Sequence, residues 1–185
     1  RERRQNTRVL ATNTLEEIRL LAHTMHPRVL DDLGLIAALK RLARDTTDHL
    51  ANYAGSAEDR GVVVDVVARE GSDAAIPAPA MSVLYRVAQE AVQNARRHAA
   101  PTQVEIHLTT DAETATLEVI DDGRGFDPDA IRSERKGIGL FTMRERVALV
   151  DGEFHVRSRP GGGTSVSAKV PLQHVPHTSL AESYT

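Results

Sequence analysis

The 185-residue sequence has no cysteine and no tryptophan, and tyrosine and phenylalanine contribute three residues each. Without thiols there is no disulfide framework, thiolate metal site or cysteine nucleophile, a usage that fits a reducing compartment. With aromatics at 3%, the core has to be assembled from Val, Leu, Ile and Ala, and stacking platforms for single-stranded nucleic acid are scarce. A formal net charge of -3 argues against a general nucleic-acid binder, which gains affinity by neutralising phosphates with a cationic surface. No run approaches the roughly 20 apolar residues of a membrane span, and no signal peptide opens the chain. The first residue is Arg1 rather than Met, which reads as a piece of something longer.

What is present suffices for one core with an appendage: 41% hydrophobic residues over a length typical of a single domain. Ala11, Leu15, Ile18, Ala22, Met25 and Val29 recur at alternating spacings of four and three. That spacing predicts the seam of a coiled-coil or bundle helix, the alternative being one amphipathic helix packed on its own domain, and Pro27 is expected to kink or end it. "LDDLGLIAALKRLARDTTDHL" predicts a second helix, capped by Asp31 or Asp32, with Leu35, Leu39 and Leu42 on one face. "ANYAGSAEDRG" at 51–61 loses periodicity and reads as a loop; "VVVDVV" at 62–67 is β-branched and reads as a strand.

From Ala80 to Ala99 the apolar residues Val83, Leu84, Val87, Ala88, Ala91 and Val92 fall on one helical side. Two alternating strands follow (Val104, Ile106, Leu108, then Leu117 and Val119), joined by "TTDAET". A helix over about 139–150 and a hairpin in "EFHVRSRPGGGTSVSAKVPL" complete the pattern. The fold class expected is α+β, a two-layer α/β sandwich with a mostly antiparallel sheet under helices and an N-terminal helical arm.

Four short stretches carry chemistry. In "QEAVQNARRH", Glu90, Asn94 and His98 sit at successive i, i+4 positions and share a helix face; carboxylate and amide oxygens suit Mg2+. "DDGRGFD" ends a strand on carboxylates and follows them with glycines, so a carboxylate there can accept a hydrogen bond from an exocyclic amine while the backbone stays open. "KGIGL" places two glycines before a helix whose free amides favour phosphate. "PGGGTSVSAKVP" is by itself a hairpin turn.

Taken in order, these stretches resemble the ATP-binding domain shared by sensor histidine kinases, type II topoisomerases, a class of heat-shock chaperones and the MutL repair proteins. "EAVQNARRH" is similar to the N box, and "DDGRG", "GIGL" and "GGGT" to the first, second and third glycine boxes. "EEIRLLAHTMHPRVLDDLGLIAAL" and "GIGLFTMRERVALVDGEFHVRSRPGGGTSVSAKVPL" further resemble histidine kinases that signal to response regulators with a helix-turn-helix output. The resemblance covers residues 8–172. It implies a second dimerisation helix at 1–30, a linking helix and loop at 31–58, an ATP-binding catalytic domain at 59–172 and a disordered tail from 173.

The resemblance also implies roles. Asn94 would ligate Mg2+, and Glu90 would orient or deprotonate a water or the attacking imidazole, with Mg2+ contact possible. Arg97 and His98 would approach phosphate oxygens. Asp121 would accept the adenine amine, with Asp122 facing solvent or capping the turn, and Gly123 and Gly125 would let the base and the lid backbone come close. Gly137, Gly139 and Leu140 belong to the second box over the phosphates, and Gly163 and Thr164 to the third, with Thr164 near adenine. Phe126 to Lys136 would form a lid whose Arg132, Arg135 and Lys136 are within reach of phosphate.

One part of the family pattern is missing: the accepting histidine directly followed by an acid. His23 precedes Thr24 and His26 precedes Pro27. The expectation is therefore an ATP-binding, cytoplasmic kinase fragment, from a parent that dimerises, which binds ATP but does not autophosphorylate normally. An anti-sigma-type serine kinase and a nucleotide-sensing interaction module are the alternatives on the same fold.

Overall fold

The computed structural model describes residues 28–51, 62–128 and 138–173. The expected dimerisation helix up to Pro27, the loop at 52–61, most of the lid with Gly137, and the tail from 174 lie outside the described residues. The described elements are α1 (Arg28–Ala51), β1 (Val63–Ala68), α2 (Ala78–Asn94, continued by a π-helical turn, Ala95–Ala99), β2 (Gln103–Thr110), β3 (Thr114–Asp121), α3 (Ile138–Ala148), β4 (Glu153–Ser158) and β5 (Thr164–Pro171).

The strands form one sheet in the order β1-β2-β3-β5-β4. Only β1 and β2 run parallel; the other pairs are antiparallel. The parallel pair requires a crossover, and α2 supplies it. The β2–β3 hairpin is set by Asp111, whose carboxylate accepts the amides of Glu113 and Thr114 at 2.8 and 2.7 Å and the Thr114 hydroxyl at 2.8 Å. These bonds favour the ionised form and hold the Asp111 pKa below the ordinary range.

Alternation decides which face is covered. Val104, Ile106 and Leu108 of β2, Ala115, Leu117 and Val119 of β3, and Val166, Ala168 and Val170 of β5 are buried. They form one core with Leu35, Ile36 and Leu39 of α1, Leu84, Val87, Ala88, Ala91 and Val92 of α2, and Met143 and Val147 of α3. Polar residues such as Glu105, His107, Glu118 and Lys169 occupy the intervening strand positions. The two-layer sandwich inferred from the alternating patterns is the architecture observed.

α1 differs from its expected start. Gly34 inside it has φ 80 and ψ 176, outside helical space. The amide of Ile36 just beyond donates to Asp73 Oδ2 at 2.9 Å, so this first-turn donor is satisfied from the loop after β1. A Cβ at Gly34 would lie 2.8 Å from that same oxygen, so glycine serves both the left-handed turn and the carboxylate's approach. Further along, the Thr47 hydroxyl accepts the Val64 amide at 3.3 Å, which satisfies one donor on the outer edge of β1.

Candidate functional site

β3, β5 and β4 reach the same end of the sheet, where Asp121 pairs with Thr164 and Thr164 with Ser158 across adjacent strands. Asp121 is 8% exposed, an unusual burial for a carboxylate. Burial pushes its pKa above the ordinary aspartate value, against the opposing pull of the Gly123 amide and the Thr164 hydroxyl. The Gly123 N–H donates to Asp121 Oδ1 at 2.9 Å, an Asx-type turn that fixes the carboxylate.

Next to it, Asp122 is exposed and turned away. Its Oδ1 accepts the amides of Thr102 and Gln103 at 2.8 and 2.9 Å, and its Oδ2 accepts the Thr102 hydroxyl. These donors lower its pKa. The two adjacent acids therefore have opposite environments, one held in the cavity wall and one facing solvent as a turn clamp, the division expected from the sequence.

The glycines are packed closely against protein. A Cβ on Gly123 would fall 2.5 Å from both the Cβ and the carbonyl oxygen of Ala99. At Gly125 (φ 58) it would fall 2.1 Å from the Arg159 carbonyl oxygen, and at Gly163 (φ 68) 2.1 Å from that of Asp121. The clearance on the Cβ side of Gly123 is taken by the end of α2. That at Gly125 is taken by the β4–β5 turn, although Gly125 still lines the cavity. The loop after β3 and the turn before β5 are zipped together: Gly163 N donates to Gly123 O at 2.9 Å, Gly161 N to Arg124 O at 2.6 Å, and Phe126 N to Ser158 Oγ at 2.9 Å. Arg124 N donates to Ala99 O at 2.9 Å, which ties the same loop to the π-helical turn.

Between α2, the end of β3, the start of β5 and the start of α3 lies a cavity of about 490 Å³, within the range of small-molecule and cofactor sites. Asn94, His98, Asp121, Gly125, Gly139, Leu140 and Thr164, all expected from the sequence, line it. Glu90, Arg97, Gly123 and Gly163 do not, although Glu90 stands beside it: a Cβ on Gly139 would approach Glu90 Oε1 to 2.6 Å and Asn94 Nδ2 to 3.3 Å. Arg97 is exposed on the π-helical turn.

Sequence reasoning missed the walls and one charge. Ala91, Ala95, Ala99, Val119, Ile138 and Val166 supply apolar surface, joined by Phe126 and the guanidinium-bearing Arg124. The small and β-branched members follow the same periodicity as the core, so no local signal separates wall from core. Arg124 was in view as the residue between two glycines, whose backbone bonds on both sides fix it at the cavity.

The arrangement has two poles. At one, a buried carboxylate and a threonine hydroxyl face apolar walls, able to accept a hydrogen bond from a flat, largely apolar group. At the other, an amide side chain, a nearby carboxylate and a glycine-bearing helix start offer hard oxygens and free backbone donors. Among the described residues, no group of three or more His, Cys, Asp or Glu side chains is placed to hold a metal ion, and no helix is long and apolar enough to cross a membrane.

The family model described as "Histidine kinase-, DNA gyrase B-, and HSP90-like ATPase" matches residues 81–174. Sensor histidine kinase MctS of Rhizobium johnstonii is 40% identical over 159 residues, 85% of this chain and 32% of that protein. The signal transduction histidine-protein kinase/phosphatase DegS of Brevibacillus brevis is 29% identical over 170 residues, 91% of this chain and 40% of that protein. The chain thus spans between about a third and two fifths of the length of these curated relatives.

Among solved structures, the histidine kinase domain of a blue-light activated histidine kinase from Erythrobacter litoralis superposes with a TM-score of 0.54 at 23% identity, covering 73% of this chain and 65% of that one. The ATP binding domain of PrrB from Mycobacterium tuberculosis gives a TM-score of 0.53 at 18% identity, covering 74% and 92% respectively. At these identities the likeness is one of fold.

Proposed function

Because the chain belongs to the histidine kinase-, DNA gyrase B- and HSP90-like ATPase family, we propose that it is the ATP-binding catalytic part of a two-component sensor histidine kinase. The carrying observation is the buried Asp121 at one pole of a cavity of about 490 Å³ whose other pole holds Asn94 and Gly139. On this reading Asp121 accepts the adenine amine, with Thr164 beside it, while Val119 and Val166 flank the base. Gly139 and Leu140 face the phosphates at the start of α3, and Gly137, of the same glycine box, is assigned to them as well.

The donor set suits Mg2+ brought in by the nucleotide. Asn94, with Glu90 adjacent, offers hard oxygen, and the ion takes the rest of its shell from phosphates and waters. Bound Mg2+ would neutralise charge developing on the transferred phosphoryl group, a reaction that is mostly positioning and electrostatic stabilisation. Glu90 then orients or deprotonates the acceptor. His98 lines the cavity and approaches phosphate oxygens, and Arg97 reaches them only from its exposed position.

No histidine in the sequence is followed directly by an acid, so the acceptor in this reading is a histidine outside these 185 residues. Residues 1–30 act as a second dimerisation helix, 31–58 as the link and 59–172 as the catalytic domain, followed by a tail over 173–185. The region works in the cytoplasm, and the phosphate passes on to a response regulator with a helix-turn-helix output. Supporting this choice is the 40% identity to a sensor histidine kinase.

Labelled ATP tests the assignment. The chain alone is expected to bind Mg-ATP and to acquire no stable, acid-labile phosphate, and to donate phosphate when a phosphoacceptor helix is supplied in trans. Binding without donation in the presence of that helix would make it a nucleotide-sensing module instead.

A further inference from the structure

From the sequence Asp122 is expected to face solvent or cap a turn, and no part in recognition follows from either. Its hydrogen bonds say more. One oxygen accepts two backbone amides, Thr102 N and Gln103 N, at 2.8 and 2.9 Å, and the other accepts the Thr102 hydroxyl. Residue 122 in turn donates its own amide to the Gln103 carbonyl at 3.3 Å. Its side chain thus joins two segments about 20 residues apart: the corner that leaves β3 and the stretch that leaves the end of α2.

Those two segments meet a second time one and two residues further on, at Gly123 and Arg124. Gly123 is packed so tightly on Ala99 that a Cβ would overlap it, and Arg124 N donates to Ala99 O at 2.9 Å. Between Ala99 and Thr102 the chain turns through Ala100 in a left-handed conformation (φ 48), a strained position for alanine that persists only where its neighbours impose it. Asp121 directly precedes this closed ring and is joined to it through its carboxylate. Its orientation depends on Gly123 N, which donates to Oδ1 at 2.9 Å, and the place of Gly123 depends on where Ala99 lies. The Asp122 clamp sets that distance.

We infer that Asp122 is a positioning residue for base recognition: by tying the exit of α2 to the end of β3, it holds the Asp121 carboxylate at the angle from which it discriminates an amine from a carbonyl on a purine. The inference rests on the proposed role of Asp121 in accepting the adenine amine. Guanine presents an acceptor where adenine presents a donor, so a carboxylate held in place rejects GTP, and one free to swing rejects it less. A clamp that served stability alone would leave that ratio untouched.

The test is calorimetric titration of Mg-ATP and Mg-GTP into wild type and the D122A, D122N, T102V and D121N variants, with melting temperatures recorded. D122A is expected to weaken ATP binding about tenfold and to narrow the ATP-to-GTP ratio, because small displacements of a recognition group carry costs of that order. D122N keeps one carbonyl oxygen for both amides and is expected to recover the ratio to within about threefold of wild type. A D122A protein with a lower melting temperature but the wild-type ratio overturns the inference. If D122A does not fold, the same comparison is read on T102V, which removes only the hydroxyl donor, and a wild-type ratio there overturns it equally. D121N distinguishes the two levels. ATP binding unchanged in D121N refutes the role of Asp121 itself, whereas loss in D121N with an unchanged ratio in D122A refutes only the positioning.

Discussion

The two poles of the cavity are built by different means. The pole around Asp121 is enclosed by backbone: Gly163 N to Gly123 O, Gly161 N to Arg124 O, Arg124 N to Ala99 O and Gly123 N to Asp121 Oδ1 leave its loops little freedom. The pole around Asn94 is built from side chains on α2 that face a helix start, with Gly139 close against Glu90 and Asn94 and Ile138 76% exposed at its rim. Recognition of a planar base calls for fixed geometry, which a ring of backbone hydrogen bonds supplies. Phosphates and a hydrated cation tolerate, and partly create, their own shell. The difference teaches where substitutions will act: on fold and base recognition at the first pole, on phosphate-dependent affinity at the second.

The comparison breaks most severely at the glycines. Gly125→Ala and Gly163→Ala each force a Cβ to 2.1 Å from a carbonyl oxygen at positive φ, and either is expected to cost about 3 kcal/mol or more of stability, read by denaturant unfolding. Asp121→Asn comes next. It is expected to weaken ATP binding about 100-fold, since a charged hydrogen bond and its geometry are lost together. The fold should not suffer. Burial raises the Asp121 pKa, so the folded state holds that proton better than the unfolded chain, and the associated stability is present at acid pH and lost as pH rises through the raised pKa. At neutral pH the buried charge is a cost, and the Asn variant is expected to melt at the wild-type temperature or about 2 °C higher. For the same reason wild-type ATP affinity is expected to fall on acidification at a higher pH than an ordinary aspartate would give, as Asp121 takes up a proton.

Much of the site was legible in the sequence because its residues are costly anywhere else. A strand that ends on two acids, a polar i, i+4 stripe on an apolar helix and paired glycines stand out against a core of Val, Leu and Ala. What could not be read was spatial. Asp73 caps α1 from 37 positions away, and Asp122 clamps a segment 20 positions before it. The π-helical turn at 95–99 has no pattern of its own, since "ARRHA" continues the helical sequence before it. The glycine requirement was legible but its object was not: Gly163 abuts the Asp121 carbonyl, a contact that exists only after β3 and β5 have paired, and Gly123 abuts Ala99 at the end of α2.

The second pole sharpens the contrast with smaller effects. Asn94→Ala is expected to lower Mg-ATP affinity about tenfold and to leave adenosine binding unchanged, since the role proposed for it is toward the ion and the phosphates. Arg97→Ala is expected to change Mg-ATP affinity by less than about threefold, and only at low salt, because an exposed charge on the rim is screened. A phosphate-independent loss in Asn94→Ala would erase the division between poles.

The central claim is that Asp121 reads an adenine amine from a buried position at the cost of fold stability. Parallel measurement of ATP affinity and melting temperature on wild type and Asp121→Asn tests it most directly. The account predicts that affinity collapses while the melting temperature holds or rises. Wild-type affinity in Asp121→Asn, or an affinity loss explained by a lowered melting temperature, would contradict it.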